Sequence, residues 1–524
     1  MKKADGVVKK GSKRQRVERH ISAALRILMV CLTLLLQIAV VLGLAFATRR
    51  YSTVIYLIME LIALVCAVGV LNRGGSPSYK ISWILLILAV PVAGMILYIL
   101  WGGTHQAKQL SLKYVPLPVE RQSARMESSN NIARLSRALP TWERLATYLE
   151  KRGFLLYRNT EVRYFREGAD FFADLITTME KAQNYIFLEY YILAEGKLWD
   201  RIFEVLRQRS AAGVEIKIIF DDFGNITRLS DAMLQQIQDA GIQVQIFNPV
   251  HKYVNRLYFN YRDHRKIAVI DGWSAYTGGL NIADEYANII NRLGHWKDTG
   301  VCLRGEGAWG LTSQFVHMWE MLGGTLDNEH DYYRPESSGQ GGGFCQCLCD
   351  GPMNNPDNPA EETYLQLISN ARRFLYMTTP YLAIEESMVK ALCIAGDGGV
   401  DVRLMVPAIP DHKFTYLVAE TYYGQLMAHG VKIYKYSPGF LHSKTVMVDR
   451  EVALVGSINM DYRSFQLHYE CGVLLYDVPA VEEIFEDMDN IVQVSARYTQ
   501  DDWNKRPWYR KAMETVLKLF AIWM

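Results

Sequence analysis

The sequence has almost no net charge: 57 Lys and Arg stand against 55 Asp and Glu, a formal +2. A dedicated nucleic-acid binder carries a strongly basic domain, so a groove running over many phosphates is not the organising feature. No two cysteines stand at C-x-x-C spacing, and eight in 524 residues are too sparse for a disulfide scaffold. Reduced thiols follow. Cys345, Cys347 and Cys349 alternate with other residues, which suits one face of a short strand and leaves zinc without a fourth ligand. Neither H-E-x-x-H nor G-x-x-x-x-G-K-[ST] occurs, which removes the zincin and P-loop nucleotide sites.

What is plentiful is apolar sequence without charge. Ile27 to Ala47 and Ile81 to Trp101 are uncharged runs of 21 residues, the second interrupted only by Pro91, and Ser52 to Leu71 carries Glu60 alone. About 20 apolar residues cross a hydrocarbon core. Three successive runs predict a multi-pass anchor in the cell membrane rather than a cleaved signal peptide. Eight basic residues within 1–20 mark that segment as cytoplasmic. The short connections leave two or three full spans open, and with them the side of the membrane that holds the rest. The expected layout is a basic segment (1–20), a transmembrane region (21–103, spans near 27–47, 52–71 and 81–101) and a linker (104–140). Then come a first α/β half (141–334), a connector (335–359), a second half (360–500) and an amphipathic end (501–524).

The two halves are one unit written twice. Tyr185 to Leu193 reads as a buried strand and Phe374 to Leu382 matches it; Val214 to Asp222 matches Val400 to Ala408, and Gly241 to Pro249 matches Gly430 to Pro438. Helical stretches precede the first strand of each, the alternation of an α/β sheet. After the third strand each half carries H-x-K-x4-D-x6-G-[GS]-x-N. In the first half this is His264, Lys266, Asp271, Gly278, Gly279 and Asn281; in the second it is His442, Lys444, Asp449, Gly456, Ser457 and Asn459. One H-x-K is commonplace. Six positions repeated at identical spacing are not.

His and Lys two apart on a strand share a face, so imidazole and ammonium converge on one ligand. The tight Gly279 or Ser457 turn lets backbone approach phosphate oxygens, and the Asn281 and Asn459 amides add donors. Two histidines are what a two-step phosphodiester transfer requires: one attacks phosphorus, while the other protonates the leaving alcohol and later deprotonates the acceptor. An ammonium between the histidines opposes zinc, and exchanging one phosphodiester for another needs no nucleotide. Each ring also needs a hydrogen-bond acceptor to fix its tautomer: Asp298 fills that place in the first half, Glu470 in the second. Asp271 and Asp449 stand where strand gives way to turn, a place for bracing a loop.

These duplicated motifs resemble the HKD signature of the phospholipase D superfamily over residues 130 to 500. The apolar start, NMDYRS at Asn459 to Ser464 and RPWYR at Arg506 to Arg510 are similar to bacterial cardiolipin synthases. The resemblance implies two pseudo-symmetric phospholipase D-type halves sharing one active site. It also implies a phosphatidyltransferase without metal or other cofactor, and catalytic roles for His264, Lys266, Asp271, His442, Lys444 and Asp449. The implied reaction joins two phosphatidylglycerol molecules from the bilayer into cardiolipin and glycerol, with no nucleic-acid partner. The same residues serve a phospholipase D hydrolase, with water as acceptor, or a phosphatidylserine synthase-type exchange. Arg256, Arg262 and Arg265 are candidates for attracting anionic lipid. Trp503 to Met524 suits either a membrane interface or packing on the domain.

Overall fold

A computed structural model of the protein describes residues 52–73, 77–102, 122–249, 261–334, 339, 341–352 and 357–518, with 32, 35, 36, 38 and 39. The first half builds a seven-stranded sheet from β1 (Thr160–Phe165), β2 (Tyr185–Tyr190), β3 (Glu215–Asp221), β4 (Gln243–Phe247), β5 (Lys266–Ile270), β6 (Ser274–Gly278) and β7 (Gly300–Gly305). Their order is β1-β7-β6-β5-β2-β3-β4. The second half uses β8 (Phe344–Asp350), β9 (Phe374–Thr378), β10 (Asp401–Pro407), β11 (Lys432–Tyr436), β12 (Thr445–Val448), β13 (Val452–Gly456), β14 (His468–Tyr476) and β15 (Ser495–Tyr498). They lie β8-β14-β13-β12-β9-β10-β11-β15. Seven strands therefore recur in the same order. The central strands β2 and β5 are buried along their whole length, as strands covered on both faces must be.

The repeat begins earlier than the sequence suggests. Phe344 to Asp350 falls inside the expected connector, yet it pairs along its full length with β14 as the counterpart of β1. Cys345 and Cys347 face a helix whose Gly307 and Gly310 admit them: a Cβ there would lie 2.4 and 2.6 Å from the two sulfurs. Part of the expected linker is also ordered. Gln122–Ala138 is a helix that buries Ile132 and Leu135, three residues apart on one face.

The motif aspartates close the hairpins far from the motif histidines. Asp271 (φ 51°) and Gly272 (φ 63°), both left-handed, are the central residues of the turn closed by Trp273 N to Ile270 O at 3.2 Å, within the three-residue connection between β5 and β6. In the second hairpin the pair is Asp449 (φ 54°) and Arg450 (φ 59°), and Arg450 stacks over Phe485 at 3.7 Å. Each carboxylate then accepts three backbone N–H groups at the mouth of the neighbouring strand. Asp271 takes those of Gln183, Asn184 and Tyr185, and Asp449 those of Arg372, Arg373 and Phe374, all at 2.8 to 2.9 Å. Seven residues of extended chain, about 23 Å at 3.3 Å each, separate them from His264 and His442. They brace the fold, as their position in the sequence indicates, and do not touch the site.

Of the expected spans, that near 27–47 lies outside the described residues save for five positions. The next is one helix, Ser52–Leu71, packed against Pro77–Ala89 around Ala63, Val70, Trp83 and Ile87. The span expected near 81–101 is broken: Pro91 drives Val90 out of helical geometry (φ −138°, ψ 74°), and a short helix, Pro91–Leu97, starts afresh. Among the described residues no helix is long and apolar enough to cross a membrane. At the other end Trp508–Lys518 docks by the Arg506 to Glu514 and Arg510 to Glu420 ion pairs, while Trp508, Tyr509 and Val516 stay exposed.

Replacing Asp449 with Ala leaves three backbone N–H groups without their acceptor and is expected to cost about 1 to 3 kcal/mol, read as a lower denaturant midpoint with unchanged slope. An unshifted midpoint contradicts the bracing role.

Candidate active site

Each motif histidine follows a short strand that pairs with the other half. Arg262–Asp263 runs parallel to His468 and Tyr469, and His295–Lys297 runs parallel to Gly439–Leu441. His264 N donates to Tyr469 O at 2.9 Å, and His442 N to Lys297 O at 2.8 Å. The next residue on each partner is therefore a carboxylate facing the ring. His264 Nδ1 meets Glu470 at 2.9 and 3.0 Å, and His442 Nδ1 meets Asp298 at 2.6 Å. Asp298 and Glu470 were each assigned above to the histidine of their own half; the parallel ribbons cross them over. With Nδ1–H donated to a carboxylate, each ring keeps its Nε2 lone pair for the cavity.

Both rings line one cavity of about 380 Å³. Burial pushes both histidines below the ordinary imidazole range. His264 lies far below it, because Lys266, Lys444 and His442 add their charge to the desolvation. At His442, burial and then Lys444 lower the value while Asp298 opposes them. The lysines are desolvated too, Lys266 to about 8 and Lys444 to about 7. Each ammonium folds back to donate to the carbonyl of its own motif histidine, and Lys444 Nζ lies 2.8 Å from His442 Nδ1. Neither lysine is part of the cavity wall.

The turn residues serve the carboxylates. A Cβ on Gly279 would fall 2.1 Å from Asp298 Oδ1, so only glycine admits that side chain. Ser457, at the equivalent position, donates its hydroxyl to Glu470 instead. Asn281 and Asn459 do line the cavity, but each commits an amide N–H internally, to Tyr286 OH at 2.7 Å and to Ser464 Oγ at 3.2 Å. Of the arginines expected to attract lipid, Arg262 is buried against Asp221 and Arg265 against Glu189, while Arg256 lies outside the described residues.

Several wall residues went unremarked in the sequence. His468 stands two positions before Glu470 on β14, with its ring centroid 5.6 Å from that of His264, and burial pushes it down to about 3. Trp296 holds the equivalent place beside His442 at 5.4 Å. Tyr191 closes over His264 at 4.9 Å and Tyr286 over His442 at 5.3 Å. The H-x-E spacing at 468–470 is the signal that would have found His468. His264, His468 and Glu470 also bring donor atoms within 4.8 Å of one another, the arrangement among the described residues that most resembles a cation site. Arg463, which donates to His468 Nε2 at 3.3 Å, and the Lys266 ammonium both oppose a dication there.

The family described as "Cardiolipin synthase, PLD-like domain" matches residues 175–291 and 364–492, and "Phospholipase_D-nuclease N-terminal" matches 61–103. The chain is 35% identical to an uncharacterized protein of Streptococcus mutans, over 84% of this chain and 95% of that one. It is 31% identical to cardiolipin synthase 2 of Bacillus cereus, over 87% and 88%. Phosphatidylserine synthase of Haemophilus influenzae shares the fold at a TM-score of 0.54 and 15% identity, over 69% of this chain and 95% of that one.

Histidine titration followed by NMR is expected to find both rings less than half protonated at pH 6.5, where a free imidazole is half protonated. As pH falls, His442 takes its proton before His264, because Asp298 partly offsets burial at one ring while three cations add to it at the other. The reverse order contradicts this electrostatic account.

Proposed function

The chain belongs to the cardiolipin synthases of the phospholipase D superfamily, and from that premise we propose that it joins two phosphatidylglycerol molecules into cardiolipin and free glycerol through a phosphohistidine. The observation that carries this reading is that two imidazoles from two halves line one cavity, each with Nδ1 held by a carboxylate. His264 is the nucleophile, since its strongly depressed affinity for protons keeps Nε2 unprotonated. Its attack forms a P–N bond as the P–O bond to glycerol breaks, and His442 gives its proton to the departing oxygen. In the second step His442 takes the proton of the acceptor hydroxyl as the new O–P bond forms and the P–N bond breaks. An anionic phosphodiester in the cavity favours the charged forms of His442, Lys266 and Lys444 at that moment. Lys266 and Lys444 act through the field they hold around phosphorus, and Asp298 and Glu470 as positioning residues. Asp271 and Asp449 act through the hairpins they brace.

A lipid substrate is supported by the rim as well. Ile289, Ile290, Ile409 and Phe414 are exposed within a few positions of the wall residues Arg292, His412 and Thr415. The helical hairpin at the N-terminus presents Leu57, Leu61, Val65 and Leu71 outward at about 60% exposure each. Such a row is covered by acyl chains in the reading proposed here, which attaches the chain to the cell membrane through 21–103 and places the catalytic halves, 141–334 and 344–500, against the bilayer surface. Water as acceptor gives phosphatidic acid from the same intermediate, and serine gives phosphatidylserine.

Purified protein with labelled phosphatidylglycerol is expected to release glycerol and cardiolipin in equal amounts, and added serine is expected to divert none of the label. Phosphatidic acid as the main product contradicts the synthase reading. A labelled phosphoenzyme is expected from wild-type protein and from His442→Ala, but not from His264→Ala, with each variant slowed about 10³-fold or more. Label retained at full yield in His264→Ala reverses the two roles.

A further inference from the structure

The walls of the cavity are related by the same internal symmetry as the two motifs, and besides the exchange of Trp296 for His468 they differ in charge and hydrogen bonding at two positions. Four residues after Asn281 stands Glu285, and four after Asn459 stands Arg463; both line the cavity. Glu285 is buried and satisfied, with Arg228 at 3.2 Å and Arg292 at 3.3 Å. Arg463 has no carboxylate within 4.0 Å among the described residues, and its one recorded hydrogen bond is from Nε to His468 Nε2. The asparagines differ in the same sense. Asn281 Oδ1 accepts from Ile192 N at 3.0 Å, whereas Asn459 Oδ1, on a residue 4% exposed, has no donor among the described residues.

At these two positions the second-half wall lacks an anion and a hydrogen-bond donor that its first-half counterpart has. Arg463 stands beside His468, whose ring is 5.6 Å from that of His264, and the cations that bear on His264 are Lys266 and Lys444 rather than Arg463. A guanidinium with a free fork is the side chain that takes a phosphodiester through two parallel N–H bonds. We infer that this wall is the subsite for the acceptor lipid: Arg463 binds the phosphodiester of the incoming phosphatidylglycerol, and Asn459 Oδ1 accepts its secondary glycerol hydroxyl. The primary hydroxyl, at the far end of the same three-carbon glycerol, is thereby aimed at the phosphohistidine. It loses its proton to His442 as its oxygen bonds phosphorus and His264 leaves. Bond order is conserved and no further reactant enters.

The inference rests on the transferase reading above and is tested apart from it by comparing two acceptors. Free glycerol has hydroxyls and no phosphate, so exchange of labelled glycerol into phosphatidylglycerol needs the donor site alone. Cardiolipin formation needs both. In Arg463→Gln, cardiolipin formation is expected to fall about 10- to 100-fold, with a raised KM for the acceptor, while glycerol exchange falls less than about threefold. Arg463→Lys, which keeps the charge and loses the fork, is expected between that variant and wild type in cardiolipin formation, with exchange again near wild type. Should the Gln variant fail to fold, the same split is read from the Lys variant. Parallel loss of both reactions places Arg463 at the donor phosphate and overturns the inference, as does loss of neither. Wild-type protein that carries out neither reaction refutes the transferase reading and takes this subsite with it.

Discussion

The arrangement depends on an exchange of acceptors. Each half supplies a histidine whose Nδ1 partner comes from the other half, through a two- or three-residue parallel ribbon that fixes the register. A half on its own would hold a histidine without its acceptor and a buried carboxylate without its donor, and an unpaired buried carboxylate costs several kcal/mol. Docking the halves and arming the site are thus one event. Other contacts across the boundary serve the same end. Asp487 takes Lys297 Nζ at 2.8 Å and Tyr164 OH at 2.7 Å, and Thr299, just before β7, meets Thr445 of β12 at 3.1 Å.

Symmetry and its breaking divide the work between phosphorus and lipid. At phosphorus the two halves are nearly equivalent, which suits a reaction whose second step is the first run backwards with another alcohol. Small charge differences then separate the imidazoles: more cations bear on His264, and Asp298 counts for more at His442. On the walls the equivalence is abandoned. Trp296 stands where the other half has His468, and Glu285 with its two arginines stands where it has Arg463, which has no carboxylate within 4.0 Å among the described residues. A cavity that holds two lipids in different roles needs such unlike walls.

Much of this was legible in the chain. The doubled motif marks the histidines, the matching segments mark the repeated strands, and the position of Asp271 and Asp449 at strand ends already marks them as braces. Asp298 and Glu470 were found because each ring needs a carboxylate acceptor to fix its tautomer, but their crossing was not. Pairing between distant ribbons leaves no periodicity in either partner. The strand at Phe344 to Asp350 was legible from its alternating cysteines, but the glycine-rich stretch before it hid that it belongs to the second half, and Gln122–Ala138 was hidden by a mean polarity that masks two buried apolar residues on one face. Arg262 and Arg265 misled because a basic cluster reads as surface, whereas Asp221 and Glu189 come from strands far away in sequence. Pro91 was visible as an interruption, and its consequence is a broken helix where one span was expected.

The central claim is that both imidazoles grip one phosphorus. A structure determined with tungstate, a tetrahedral oxyanion that becomes five-coordinate like the reacting phosphorus once a ring nitrogen binds it, tests it most directly. The account predicts one oxyanion bonded to His264 Nε2 and hydrogen-bonded to His442 Nε2, with Asp298 and Glu470 still on the opposite nitrogens. Tungstate reached by only one of the two rings, or bound elsewhere in the cavity, would contradict it.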